Sequence, residues 1–128
     1  MGSRESIQRP HERLEVWRDA MDFVEIVYRF SASFPPDERY GLTAQLRRAA
    51  VSIPSNIAEG AARRSRREYM KFLSIARGSL SEADTQIKIA TRLGFAEEPQ
   101  ELRDLIDRLF AKLTALLAKL DAAERTTS

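Results

Sequence analysis

The chain has 128 residues, 43% of them apolar and 31% charged, a globular composition long enough to bury one core without a metal or a disulfide. It has no cysteine, which excludes thiol catalysis, zinc–thiolate sites and a disulfide scaffold and favours an intracellular setting. Basic residues number 21 and acidic ones 19, for a net charge of +2, and no apolar run approaches the ~20 residues of a membrane span, so the expected compartment is the cytoplasm, with no membrane contact.

Residues 1–13, "MGSRESIQRPHER", are polar, carry a proline and show no apolar period. They read as a flexible tail, with one domain over residues 14–125. The first helix is expected from about Leu14 to Ser33. Trp17, Ala20, Met21, Val24, Val27 and Tyr28 form one stripe at helical spacing, and Val16, Phe23, Ile26 and Phe30 form a second beside it. The double stripe is either one wide core face or a core face plus a contact with another subunit through Val16, Phe23, Ile26 and Phe30. "FPPDERYG" then breaks the helix with two prolines and a glycine.

The second helix starts near Thr43. Leu42, Leu46, Ala49, Ile53, Ile57 and Gly60 keep a helical period straight through Pro54. That unbroken phase predicts a continuous helix bent at the proline, the alternative being two short helices. Ser52, Ser55 and Asn56 stand close enough to serve the disturbed carbonyls. The small residues around them predict close approach of a neighbouring helix.

"SRRE" at Ser65–Glu68 matches a capping box, so the third helix starts there and runs to about Leu93, stopping at Gly94. Its core stripe is Tyr69, Phe72, Leu73, Ala76, Leu80, Ala83, Ile87 and Ala90. Gly78, inside it, is expected to mark close packing. The fourth helix starts at Pro99, lines one face with leucines from Leu102 to Leu120, and frays over "ERTTS". With no strand pattern, the expected fold is all-α, an antiparallel up-down four-helix bundle.

Catalysis finds little support. The one histidine, His11, lies in the expected tail. Arg4 and His11 have an Arg-x6-His spacing similar to a helical ribonuclease signature, but both precede the first helix. No Glu-x-x-His set supports a di-metal site. Glu59 and Glu82, flanked by small residues, read as acids paired at the interface of helices 2 and 3. The chain is therefore expected to be non-enzymatic, with no metal and no cofactor.

The charge distribution is more informative than its total. Between Arg39 and Arg77 nine basic residues face two acidic ones, Glu59 and Glu68. Arg63, Arg64, Arg66 and Arg67 straddle the turn between helices 2 and 3. Lys71 follows on the Arg67 face, and Arg47 and Arg48 lie about four turns back. The group is either a solvated turn with a few ion pairs or a phosphate-binding patch, arginine suiting phosphate through its planar donor fork. Charge of this kind names a polyanion without choosing RNA or DNA.

The stretch "RRAAVSIPSNIAEG" (Arg47–Gly60) followed by "FLSIARGSLSEA" (Phe72–Ala83) closely resembles the four-helix bundle proteins encoded by intervening sequences in bacterial 23S rRNA genes. These are related to the accessory variability protein of diversity-generating retroelements. "LEVWRDAMDFVEIVY" resembles the family's first helix, so the likeness runs from Leu14 to Phe95, with helix 4 matched only in pattern. The resemblance implies an up-down bundle assembled as a ring-like homopentamer. It also implies nucleic-acid binding through a basic surface and, by way of the retroelement relative, a reverse transcriptase as partner. Arg47, Arg48, Arg63, Arg64, Arg66, Arg67 and Lys71 are the candidate contacts. The competing expectation is an oligomeric protein-interaction scaffold with no nucleic-acid role.

Overall fold

The computed structural model describes residues 9–127, which form four helices. They are α1 (Glu15–Ser31), α2 (Leu42–Ala61), α3 (Arg66–Arg92) and α4 (Gln100–Thr127). Each helix packs on its two neighbours in the order α1, α2, α3, α4 and back to α1, and no diagonal pair of helices makes a comparable contact. Side-chain pairs fix the directions. Ser52 meets Ser79, Gln45 approaches Gln86, Arg103 meets Asp84, and Lys112 meets both Glu15 and Asp19. Rising numbers on one helix meet falling numbers on the next, so the four run up, down, up, down.

Apolar periodicity builds the core. Ala20, Phe23 and Val27 of α1 meet Leu46, Ile53 and Ile57 of α2, with Leu73, Leu80 and Ile87 of α3 and Leu102, Ile106, Leu109 and Leu113 of α4 completing it; all are fully buried. Phe34, in the α1–α2 connection, closes one end edge-on to Phe30 and tilted against Phe95.

Helix α2 is continuous through Pro54, so the two-helix alternative does not hold. The proline removes one backbone donor. Around it, Ser55 Oγ donates to the Val51 carbonyl at 2.8 Å, and Asn56 Nδ2 donates to the Ser52 carbonyl at 2.8 Å. Close approach follows at Gly60, where a Cβ would lie 2.9 Å from the Tyr69 ring and 3.0 Å from Phe72 Cβ. Ser65 caps α3 by accepting from the Glu68 amide at 3.1 Å. Gly94 ends the helix at φ +78°, with the Phe95 amide on the Ala90 carbonyl and the Gly94 amide on Thr91.

Four expectations are corrected. Val16, Phe23, Ile26 and Phe30 do not form an exposed subunit face: they lie buried in the protomer's own bundle. The exposed edge of α1 belongs to the other stripe, at Met21 and Tyr28, because α1 is rotated to aim Phe23 and Val27 inward. Within the expected tail, Pro10–Arg13 form a 3-10 turn, and the His11 ring sits edge-on to Trp17 at 4.8 Å. Residues 1–8, with Arg4, lie outside the described residues. Gly78 faces open space rather than a neighbour. Finally, α4 holds its helical form to Thr127, where Arg66 donates to the Thr127 hydroxyl at 3.0 Å.

Candidate nucleic-acid interface

The seven candidate cations divide by what their charged ends touch. Arg47 is a tether between α2 and α1. Its Nε donates to Ser31 Oγ at 2.8 Å, its Nη2 to the Tyr28 carbonyl at 3.2 Å, and its guanidinium lies over the Tyr28 ring. Arg63 pairs with Glu59 one turn earlier and lies 4.9 Å over the Phe72 ring. Arg66 reaches from the start of α3 to the end of α4, where it meets Glu124 at 3.5 Å and Thr127. These three arginines have structural duties.

Arg48, Arg64, Arg67 and Lys71 are exposed and form no ion pair among the described residues. Arg64, Arg67 and Lys71 share the corner where α2 turns into α3. They stand beside the N-terminus of α3, whose macrodipole adds partial positive charge. Arg48 stands apart, about 20 Å of helix rise before the end of α2 at Ala61. The bundle therefore does not gather the seven into one patch. It leaves a three-cation corner at one end and a second basic region at the other. Neither separation was legible in the charge count, because the partners Glu124, Thr127 and Ser31 lie far off in sequence.

The second region adds to Arg47 and Arg48 three residues that the sequence did not single out as contacts, Tyr28, Arg39 and Tyr40. Tyr28, Arg39, Tyr40, Arg47 and Arg48 line a groove between α1 and α2 that contains no acidic side chain. The signal was present in "ERYG", a basic–aromatic pair next to a glycine.

The acids serve packing. Arg103 is clamped by Glu98 at 2.7 Å and Asp84 at 2.8 Å, hydrogen bonds that hold its guanidinium above the ordinary arginine range. Lys112 bridges α4 to Asp19 at 2.6 Å and Glu15 at 3.1 Å. Glu59 pairs with Arg63 as expected, while Glu82 accepts from Gln86 on its own helix instead of pairing with an arginine. No group of three or more histidine, aspartate or glutamate side chains is placed to hold a metal among the described residues. No helix there is long and apolar enough to cross a membrane.

With this geometry in place, the family described as 23S rRNA-intervening sequence protein matches residues 12–115. The chain belongs to this family. The match extends beyond the resemblance seen in α1 to α3 and takes in most of α4. Every candidate cation lies inside it, whereas Glu124 and Thr127, the partners of Arg66, lie past its end. A search of curated proteins finds no match.

Proposed function

We propose that this family member is a non-enzymatic cytoplasmic bundle that binds RNA or DNA without sequence preference, with Arg64, Arg67 and Lys71 contacting phosphates. One observation carries the reading: at the α2–α3 corner these three cations remain exposed without an acidic partner among the described residues, beside a helix N-terminus. Contacts of this kind position a backbone and read no bases.

The test is a titration of labelled single-stranded RNA and of duplex DNA at several salt concentrations. Combined Arg64→Gln, Arg67→Gln and Lys71→Gln is expected to reduce the log–log salt slope by about 2 to 3, with circular dichroism unchanged. Combined Arg63→Gln and Arg66→Gln is expected to lower stability more than it lowers the slope. Absence of wild-type binding at ~50 mM salt, where counterion release favours it strongly, overturns the proposal. The protein-scaffold reading, with a reverse transcriptase among the candidate partners, then takes its place.

A separate observation favours self-association. Trp17, Met21, Val24, Val51, Pro54 and Ala58 line an apolar groove along α1 and α2. Met21 and Val51 are 42% and 41% exposed, more than a solitary bundle needs to leave in water. The proposed assembly is a homo-oligomeric ring joined through this groove, with the five subunits that the family resemblance implies. A ring would repeat each basic corner and multiply a weak contact by avidity.

A further inference from the structure

We infer that the groove between α1 and α2 at Tyr28, Arg39, Tyr40, Arg47 and Arg48 binds single-stranded nucleic acid by stacking an unpaired base on Tyr40. The inference rests on the nucleic-acid reading above, and it adds a second contact region at the other end of the bundle with a preference for unpaired strands.

Tyr40 is the most exposed large apolar side chain among the described residues, at 87%. A tyrosine left in water in a short loop between two well-packed helices has an aromatic face available to a ligand. Arg39 holds its guanidinium 6.0 Å from the centre of that ring. Beside it the floor of the groove is fixed. Arg47 is pinned by Ser31 and the Tyr28 carbonyl, and its guanidinium lies 4.4 Å from the centre of the Tyr28 ring, so a cation–aromatic pair is held in place. Arg48 flanks the groove, exposed and without an ion pair among the described residues.

The lining includes three arginines and two tyrosines and no aspartate or glutamate. Two acids, Glu38 and Glu82, lie outside that lining. Glu38 accepts the Leu42 amide at 2.9 Å, and Glu82 lines a neighbouring shallow groove that shares Arg48. At about 600 Å³ the groove falls within the ~300–1,000 Å³ of sites that hold small planar ligands. Cationic side chains that follow a backbone, next to aromatic faces that take bases, are the recurring chemistry of single-strand binding. A duplex keeps its bases stacked on one another and offers this groove only phosphates.

The test compares three short probes of equal length: oligo-adenylate RNA, an abasic strand with the same phosphates, and duplex DNA. Wild-type protein is expected to bind oligo-adenylate about 5- to 100-fold more tightly than the abasic strand. Tyr40→Ala and Tyr40→Leu are both expected to erase that preference, Tyr40→Trp to restore it, and duplex binding to stay within twofold. Because Tyr40 is so exposed, these variants keep the packing intact. A wild-type preference that persists in Tyr40→Ala overturns the inference and leaves the basic corner standing. Failure of wild type to bind any of the three overturns both readings together. A change of mass in solution on Tyr40→Ala with binding unaltered overturns the inference and makes the groove a subunit interface.

Discussion

The Arg47 guanidinium lies 4.4 Å from the centre of the Tyr28 ring and donates to the Tyr28 carbonyl at 3.2 Å, so one side chain on α2 holds both the face and the backbone of a residue on α1. A third bond, to Ser31 Oγ at 2.8 Å, lands near the end of the same helix. Lysine cannot reproduce this set, since it lacks the planar fork. Arg47→Lys is expected to cost about 1–2 kcal/mol, the scale of a partly exposed cation–π contact plus lost hydrogen bonds. Arg48→Lys, one residue on and exposed, is expected to stay within about 0.5 kcal/mol of wild type. Thermal unfolding of the two variants side by side checks this, and equal shifts would show that the tether contributes nothing.

Much of the fold was written in local signals. The phase of Leu46, Ala49, Ile53 and Ile57 ran through Pro54 without a slip, and the helix does the same. Ser65 and Gly94 marked the ends of α3 because caps depend on neighbours within a few residues. The site was less legible, for a physical reason. Periodicity says that a face is apolar, but two adjacent stripes on α1 leave its rotation about its own axis undetermined. Only packing against α2 and α4 decides that Phe23 points in and Met21 out. The arginines show the same limit. Arg64 and Arg66 are indistinguishable in "ARRSRRE", and what separates them is Glu124, on the far end of another helix.

Two glycines predict opposite outcomes for one substitution. At Gly60 an added Cβ would come 2.9 Å from the Tyr69 ring and 3.2 Å from the Tyr69 carbonyl oxygen, in the tight contact between α2 and α3. Gly60→Ala is expected to destabilise by about 1–3 kcal/mol, because backbone must shift to admit a methyl. At Gly78 nothing lies within 4 Å of the added atom, and the residue sits inside α3. Gly78→Ala is expected to stabilise by about 1 kcal/mol, through the helix preference of alanine over glycine. Urea unfolding of both variants is the measurement. A loss of stability at Gly78 would mean that a subunit neighbour occupies that space.

The Lys112 ammonium is held above the usual lysine range chiefly by its hydrogen bond to Asp19, which outweighs the opposing effect of burial with further help from the hydrogen bond to Glu15. A folded value above the unfolded one, which is about 10.4, means stability that is complete below that pH and lost as pH rises through the folded value. Tyr69 acts in the same sense, since burial raises its phenol and the folded state resists the charged form. The bundle is expected to weaken above about pH 10. Lys112→Gln is expected to be less stable at neutral pH and to decline less steeply between pH 9 and 11. Denaturant midpoints across that range would decide it; parallel curves for the two proteins would remove Lys112 from the account.

The face of α1 proposed to meet another subunit can be separated by mutation from the face that holds the protomer together. Phe23 is fully buried between helices, so Phe23→Glu places a carboxylate in the core and is expected to unfold the chain. Met21 and Val51 stand at the rim of the α1–α2 groove, and a carboxylate there meets water in an isolated protomer. Met21→Glu and Val51→Glu are expected to keep full helicity and to reduce the mass in solution to the 14.6 kDa of a single chain. The physical reason is that burying a charge against a partner's apolar surface costs more than leaving it solvated. Light scattering with circular dichroism on the three variants checks the assignment. A wild-type protein that already runs at the mass of one chain, or a Val51→Glu variant that keeps the wild-type mass, would move the proposed interface off this groove.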